Sequence, residues 1–240
     1  MSRRILIPLI AVVALVVLGG AGVYAYFFSG LRTSPAALAL SSPSPTTSAS
    51  ASTTAVSGGT WTITSGSLAG YRVKEQFVSQ SSTHEAVART SGVSGTIAIT
   101  KSGDTYTMST AEITVQLSGL ASVDSVAGYN VTNRDRIVQQ ALDVRSFPTA
   151  VFQASSVELP PAAATGQTVT LSVPGQLTVH GVTRDVTATL QLRVNGASAQ
   201  VAGTIPTNMT NFGVNPPSIG FTTVQPAVTI EVSLNLTQSA

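Results

Sequence analysis

Residues 175–184 read GQLTVHGVTR, and they run directly into a segment whose apolar residues alternate with polar ones. The apolar members of that segment are Val186, Ala188, Leu190 and Leu192. A period of two is typical of a β-strand with one buried face and one wet face. The same period recurs through most of the chain after residue 59, which predicts a mainly all-β domain.

Alternation is clearest in three further segments. Their apolar residues are Val93, Gly95, Ile97 and Ile99; Ile113, Val115 and Leu117; and Val228, Ile230, Val232 and Leu234. Further strands are predicted at residues 61–64, 71–77, 105–109, 150–157, 169–173, 177–179 and 199–205, with a hairpin turn at Asn195-Gly196. So many strands with one solvent-exposed face need a closed barrel or a sandwich, because closure of a sheet removes the unpaired edge strands that would otherwise pair with other chains.

One segment departs from the strand period. Between Thr132 and Leu142 the apolar residues lie at helical spacing. Either Thr132 or Asn133 is suited to cap the start of this helix, and Phe147-Pro148 prevents its continuation. We therefore predict one short helix inserted between strands.

The N-terminal region has a different composition. Residues 5–28 contain no charge, and as a helix rising ~1.5 Å per residue they would reach roughly 36 Å, enough to cross a bilayer core of ~30 Å. Because Arg3 and Arg4 precede this single transmembrane helix, residues 1–4 are expected in the cytoplasm and everything after residue 28 outside the cell membrane. The alternative is a cleaved secretory signal, with Ala37-Leu38-Ala39 as the cleavage site, which would make the protein secreted.

Residues 29–58 are mostly Ser, Thr, Ala and Pro. Such a linker buries too little apolar surface to become ordered, so we expect a flexible tether that holds the exported domain, residues 59–240, off the membrane. The chain carries a net charge of +2, but three of its arginines precede the domain, which retains nine basic and ten acidic residues. No cluster of Lys and Arg remains there to neutralise phosphates, so no nucleic-acid partner is expected.

Groups that could support catalysis are few. The chain has no cysteine, no Gly-x-Ser-x-Gly motif and only two histidines, so we predict no catalytic nucleophile, no disulfide and no metal site. His84 follows a polar run and is expected on a solvated loop. His180 precedes Gly181 at a strand end with Arg184 nearby, which favours a tight turn; a polar contact at the barrel mouth and acid–base catalysis are the alternatives.

Several motifs together resemble those of the YceI-like family. Residues 175–184 resemble its Gly-x-Leu-Thr-x-x-Gly-Val-Thr-Arg/Lys motif. Other matches are Phe147-Pro148 with Phe152, and Ser122-Val123-Asp124 followed by Asn133-Arg134-Asp135. Many members have Val-Lys-His near the second strand, where this chain has Val73-Lys74-Glu75. The resemblance implies a closed, lipocalin-like antiparallel β-barrel of about eight strands that binds a polyisoprenoid lipid.

A hollow barrel of this kind would hold a long hydrocarbon, because each buried methylene is worth about 0.8 kcal/mol. We predict that apolar strand positions line the lumen and that a polar rim frames it or meets a head group. The lining positions are Val73, Phe77, Ile97, Ile113, Val115, Phe152, Leu177, Leu190 and Ile230; the rim is Arg134, Asp135, His180 and Arg184.

These expectations combine into one hypothesis about function. The protein is predicted to be a non-enzymatic, extracytoplasmic carrier or store of a polyisoprenoid or other long-chain lipid, tethered to the membrane by residues 5–28 and needing no other cofactor. The first alternative is a structural or adhesive module of the cell envelope with a filled core. The second is a hydrolase or isomerase that uses the region of His180. The sequence identifies no protein partner.

Overall fold

The computed structural model describes residues 32–42, 58–78, 83–126, 130–220 and 222–239. The predicted membrane anchor, residues 5–28, lies outside this part of the chain. Among the residues described, no helix is both long and apolar enough to span a membrane.

The described part of the chain consists mainly of strands. These are β1 (Arg32–Thr33), β2 (Gly59–Ile63), β3 (Leu68–Phe77), β4 (His84–Thr90), β5 (Val93–Ser102), β6 (Thr105–Gln116), β7 (Ala121–Ser122), β8 (Ser125–Val126), β9 (Thr149–Leu159), β10 (Val169–Val179), β11 (Val182–Asn195), β12 (Ser198–Asn208), β13 (Ser218–Ile219) and β14 (Thr222–Gln238). The helix α1 spans Thr132–Ala141, and short 3-10 helices span Leu117–Gly119, Pro161–Thr165 and Met209–Phe212.

Eight antiparallel strands close the barrel. Their order around the wall is β12, β11, β10, β9, β6, β5, β2 and β14, and β14 pairs back with β12. Beyond the residues that pair with β2, β14 pairs with β3, and β3 in turn carries β4 and β7. The predicted closed antiparallel barrel with one short inserted helix is confirmed.

The register defines two ends of the barrel. At one end, which we call the mouth, Phe77 pairs with Thr222 and β10 turns into β11 at His180-Gly181. The other end, the base, contains the β5–β6 turn at Gly103 and the β11–β12 turn at Gly196. The chain forms the second hairpin where the sequence predicts it, with Gly196 at a φ of 59°.

Strand β10 is continuous, whereas the sequence predicts two separate segments, 169–173 and 177–179. Pro174 and Gly175, which lie between those two segments, are both part of the strand. Pro174 is exposed and lies just beyond the residues of β10 that pair with β9, so its missing N–H leaves the ladder intact. A Cβ on Gly175 would lie 2.7 Å from Cζ of Phe152, so this position admits the neighbouring ring only because it is glycine.

The motif at residues 175–184 ends in a two-residue hairpin turn. His180 and Gly181 have φ values of 52° and 72°, the left-handed conformations that a type I′ turn requires. A Cβ on Gly181 would lie 2.5 Å from Cε1 of Phe147. The same Phe147 ring contacts the His180 ring edge to face, with centroids 5.1 Å apart. The segment Phe147-Pro148 therefore packs directly on the turn, which explains why the two motifs occur together.

The chain before the barrel is held against the outer wall. Arg32 and Thr33 pair with β8 at the mouth, and residues 34–42 continue in extended conformation toward the base. We call residues 33–42 the strap. This stretch lies within the predicted flexible linker, residues 29–58, and there the chain is hydrogen-bonded to barrel side chains.

Candidate functional site

The barrel encloses an apolar inner cavity of about 150 Å³. Alternating strand residues point into it, because the buried face of each strand lines the interior. Leu142, which follows α1, and Met209 and Phe212 of the last 3-10 helix line it toward the mouth. Predicted lumen residues in its wall are Ile113, Val115, Phe152, Leu177, Leu190 and Ile230.

An outer cavity of about 270 Å³ lies at the mouth, beneath α1. Its walls include Val73 and Phe77 of β3, both predicted lumen residues, and the apolar face of the helix. That face consists of Ile137, Val138, Ala141 and Leu142. The two cavities adjoin, since they share the wall residues Tyr71, Leu142, Met209 and Val214.

Eight of the nine predicted lumen residues thus lie in the wall of one cavity or the other. The exception is Ile97, which is partly buried and packs against the core without lining either cavity. The interior is therefore not filled by the protein's own side chains. Contact of these residues with a ligand stays a prediction.

The outer cavity also has a polar side. Glu75, Arg134 and Thr222 contribute to its wall. The hydroxyl of Thr222 is buried and has no hydrogen-bond partner among the described residues. A buried hydroxyl normally has one, so this group is available to a bound molecule.

Helix α1 begins at a side-chain cap that differs from the predicted one. The Oδ1 atom of Asn130 accepts from the backbone N–H of Thr132 at 3.0 Å and from its hydroxyl at 2.6 Å. Val131 occupies the N-cap position, the capping side chain comes from Asn130 just before it, and the prediction of Thr132 or Asn133 is wrong. One turn later, Asp135 accepts from the backbone N–H of Ser122 at 3.0 Å, which holds the helix to β7.

Arg134 joins the helix to the barrel wall through two carboxylates. Its Nη1 donates to Glu75 Oε1 at 2.8 Å, and its Nη2 donates to Asp124. Nη2 also donates to the Ser122 hydroxyl at 2.9 Å. Of the predicted rim residues, Arg134 thus lies in the outer cavity and Asp135 supports the helix from behind it.

Burial and ion pairing act oppositely on the two carboxylates. Burial raises the pKa of Glu75, and the nearby Arg134 only partly offsets this effect. Burial alone would also raise the pKa of Asp124, but hydrogen bonds from His84, the Val87 N–H and Arg134 together hold it below the usual value. The same network therefore shifts the pKa values of its two carboxylates in opposite directions, upward for Glu75 and downward for Asp124.

His84 does not lie on a solvated loop, and that prediction is wrong. It begins strand β4, only 4% of it is exposed, and its Nε2 lies 2.7 Å from Asp124 Oδ2. The other oxygen of Asp124 accepts from the Val87 N–H at 3.0 Å. The polar run before His84 hid the start of the strand in the sequence.

Glu75, His84 and Asp124 offer ligand atoms within 4.8 Å of one another, a spacing that suits a metal ion. Arg134 binds one oxygen of each carboxylate, and its positive charge opposes a second cation at that point. The arrangement therefore favours an ion-pair network over a metal centre. That the protein has no metal site stays a prediction.

The two remaining rim residues lie at the mouth but line neither cavity. His180 Nδ1 lies 3.2 Å from the carbonyl oxygen of Phe212, so this nitrogen carries the proton and donates. Arg184 is exposed and donates to the carbonyl of Thr183 at 2.9 Å. His180 thus lies in the tight turn that the sequence favours and links that turn to the 3-10 helix at Met209–Phe212, whereas Arg184 bonds to the residue before it.

Sequence reasoning missed three polar groups of the site. Glu75 was detectable, because it takes an inward position in the alternation of Tyr71, Val73 and Phe77. His84 and Thr222 carried no such signal, since each stands at the first position of its strand. Burial also raises the pKa of Tyr71, the inward residue beside this cluster.

The comparisons agree with this architecture. The family model of the YceI-like domain matches residues 59–236. A polyisoprenoid binding domain from Saccharophagus degradans, implicated in plant cell wall breakdown, is similar in structure, with a TM-score of 0.53 and 14% identity over 75% of this chain and 98% of that one. BcnA from Burkholderia cenocepacia has a TM-score of 0.46 and 20% identity over 69% of this chain and 95% of its own.

A search of curated proteins gives no match. The likeness to the Saccharophagus degradans domain, at 14% identity, establishes the fold alone. The family model covers well over half of the chain, from the first strand of the closed barrel nearly to the end of the last. The chain therefore belongs to the YceI-like domain family.

Proposed function

We propose that this protein is a membrane-tethered, extracytoplasmic lipid-binding protein that holds a polyisoprenoid or similar long-chain amphiphile inside its barrel. The observation that carries the proposal is the apolar inner cavity that continues into a larger outer cavity with a polar side. The similar domain from Saccharophagus degradans is named for polyisoprenoid binding. We extend that ligand class to this chain as part of the proposal.

The chemistry of the walls supports one orientation of the ligand. The inner cavity offers dispersion contacts and exclusion of water, which favour a hydrocarbon tail by about 0.8 kcal/mol for each buried methylene. The polar end would lie in the outer cavity, next to Arg134 and the hydroxyl of Thr222, to which no described residue is hydrogen-bonded. A tail of more than a few isoprene units would extend out past α1, since the inner cavity alone is smaller than the ~300–1,000 Å³ usual for ligand pockets.

The alternative of a structural module requires a filled core, and the two cavities count against it. A catalytic role for His180 has little support, because its ring packs on Phe147 and donates to a backbone carbonyl. Binding without chemistry is therefore the part of the hypothesis that we retain. Tethering and export are inferred from residues 1–28 of the sequence.

The test is lipid binding by the full-length protein and by a matched pair of variants. In Ala188→Phe, a ring enters the inner cavity, and a cavity of this size holds one benzene. In Thr189→Phe, the same ring is added to the exposed face of the same strand. Both proteins are purified, extracted for lipid mass spectrometry, and offered polyprenols of several lengths.

We expect wild type and Thr189→Phe to retain and take up the lipid and Ala188→Phe to lose it. Circular dichroism and thermal unfolding check that each variant keeps its fold. Absence of bound lipid in the wild type, together with no uptake of any added polyprenol, would reject the proposal. Equal uptake by all three proteins would place the ligand outside the barrel.

A further inference from the structure

We propose that the mouth of the barrel faces and touches the membrane surface, so that the cavities open directly onto the bilayer. This inference rests on the membrane tether of the proposed function. It concerns a surface that the lipid-binding proposal does not specify. The strap determines the direction in which the barrel points, and the chemistry of the mouth matches an anionic lipid surface.

The chain first reaches the barrel at the mouth. Thr33 pairs with Ser125, and the Ser34 hydroxyl donates to the carbonyl of Glu85 at 2.6 Å. Glu85 adjoins His84 at the start of β4, and β8 leads toward Asn130 in the wall of the outer cavity. The first point of attachment therefore lies beside the outer cavity.

From this point the strap runs away from the mouth along the outer wall. Arg72 donates to the carbonyl of Pro35 at 2.5 Å, and Arg89 donates to that of Ala36 at 2.6 Å. Further along, the N–H of Leu38 donates to Glu231 at 3.2 Å. Near the base, Arg193 donates to the carbonyl of Ser41 at 2.5 Å. The order of these contacts shows that the strap runs from the mouth toward the base.

The length of chain before the strap then limits the position of the membrane. The predicted span ends at residue 28, four residues before Arg32. Four residues reach at most roughly 14 Å when fully extended. Strand β12 has 11 residues and is roughly 36 Å long, so the base cannot come equally close. A linker of the predicted length 29–58 would leave the orientation free, but the strap shortens the free part to a few residues.

The exposed surface at the mouth suits such a contact. Val78 and Val123 are the large hydrophobic residues that stand exposed in the described chain, at 78% and 46%, and both lie at this end. Three arginines at this end are exposed as well: Arg136, Arg145 and Arg184. None of the three forms an ion pair with a described residue.

The exposed charges of the two ends differ in sign. At the mouth, Lys74 adds to the three arginines, and Asp185 is the exposed acid, with Glu85 partly exposed opposite Lys74. At the base, Asp104 and Glu158 are exposed together with Lys101. Anionic lipids attract basic groups near the membrane, so electrostatics and the strap favour the same orientation.

The chain has no cysteine, which permits single-site labelling without background. Val78→Cys and Val123→Cys place a fluorophore at the mouth, and Asp104→Cys places it at the base. Each full-length protein is reconstituted into vesicles of phosphatidylcholine and phosphatidylglycerol that contain lipids with nitroxide-labelled acyl chains. Quenching requires that the fluorophore lie within the lipid interface.

We expect the labels at 78 and 123 to be quenched about twofold or more relative to the label at 104, because interfacial groups lie ~5–10 Å into the bilayer. Equal quenching at the three sites, or stronger quenching at 104, overturns the inference. Vesicle flotation separates the two proposals. A chain that fails to float with vesicles refutes the tether, whereas a floating chain with the reversed pattern refutes the orientation alone.

A charge-reversal pair tests the arginines. The double variant Arg136→Glu and Arg145→Glu is expected to lower the quenching at 78, while Lys101→Glu at the base leaves it unchanged. Raising the salt concentration should reduce the difference, since exposed charges are screened. Unchanged quenching in the double variant would overturn the role of these arginines.

Discussion

Arg134 Nη1 lies 2.8 Å from Glu75 Oε1, and this ion pair joins helix α1 to strand β3 across the outer cavity. The same guanidinium binds Asp124 on its other side. Both carboxylates are buried, so water cannot replace Arg134. One side chain therefore holds the helix over the mouth and keeps two buried acids paired.

Replacing Arg134 by Met should destabilise the protein. Removing one partner of a buried ion pair leaves the others unpaired, and the free energy of unfolding is expected to fall by about 3 kcal/mol. Urea unfolding in detergent micelles measures it, with the fluorescence of Trp61, the single buried tryptophan, as the signal. Arg136→Met on the exposed side of α1 is the control and should stay within about 0.5 kcal/mol of wild type. Equal losses in the two variants would contradict the role of Arg134.

Two buried glutamates should give opposite dependences of stability on pH. Burial raises the pKa of Glu75. The contribution of Glu75 to the free energy of unfolding is therefore fully present below pH ~4.3, the usual pKa of a glutamate in the unfolded chain, and is lost as pH rises through the raised pKa. For Glu231, burial is outweighed by hydrogen bonds from Arg89 and Arg72, which lower the pKa. Its contribution is present above ~4.3 and is lost as pH falls through the lowered value.

The variants Glu75→Gln and Glu231→Gln test this contrast. Relative to wild type, Glu75→Gln should gain stability as pH increases from ~4.3 toward neutral, because the variant has no carboxyl group at position 75 to ionise. Glu231→Gln should lose relative stability as pH increases toward ~4.3, and at neutral pH it should be less stable by about 3 kcal/mol, because Arg72 and Arg89 lose their shared partner. Unfolding curves at a series of pH values measure both, and slopes of the same sign would refute the assignment.

The strand alternation predicted the barrel but misjudged one face of β14. Glu231 alternates with the apolar residues of β14, as Thr229 and Ser233 do, so the pattern predicts a solvent-exposed side chain. In the structure Glu231 is 0% exposed. The strap covers it, and Arg72 and Arg89 pair with it from β3 and β4. The strap binds mainly through its backbone: barrel arginines donate to its carbonyl groups, and the N–H of Leu38 donates to Glu231. Its own composition of Ser, Ala and Pro therefore carries no signal for this contact.

The sequence predicted the apolar residues of the candidate site but not the pairs of its polar network. Apolar positions such as Phe152 and Leu190 follow from the period of two, because that period sets which side chains point inward. The polar network depends on contacts between distant segments: His84 and Asp124 are 40 residues apart, and Glu75 and Arg134 are 59 apart. Spacing along one strand or helix does not encode such pairs, so Arg134 was predicted as a rim residue without its partners.

The turn at Gly181 should be far less tolerant of a side chain than another turn with similar backbone geometry. Gly181 and Gly103 have φ values of 72° and 58°, so alanine strains both. A Cβ at Gly103 meets nothing within 4 Å, whereas at Gly181 it meets the Phe147 ring at 2.5 Å.

We expect Gly103→Ala to lower the free energy of unfolding by about 1 kcal/mol and Gly181→Ala by an additional ~1–3 kcal/mol from overpacking. Urea unfolding followed by the fluorescence of Trp61 compares them. If the two variants lost the same stability, the contact between Phe147 and the turn would have no energetic role.

Removing the hydroxyl of Thr222 should raise the stability of the protein and lower its affinity for the ligand. Its hydroxyl is buried in the wall of the outer cavity without a partner among the residues described. Valine has the same shape and lacks that hydroxyl, so Thr222→Val should raise the free energy of unfolding by about 1 kcal/mol. Thr223→Val, at the exposed neighbouring position, is the control and should change it by less than about 0.5 kcal/mol.

The affinity of Thr222→Val for the ligand should be lower than that of wild type, because we propose that the polar end of the amphiphile forms a hydrogen bond with this hydroxyl. Loss of one hydrogen bond of about 1 kcal/mol corresponds to roughly fivefold weaker binding. Titration of each variant with a polyprenol, followed by Trp61 fluorescence, gives the dissociation constant. A Thr222→Val protein that is stabilised and binds as tightly as wild type would place the head group elsewhere, against Arg134 and Glu75.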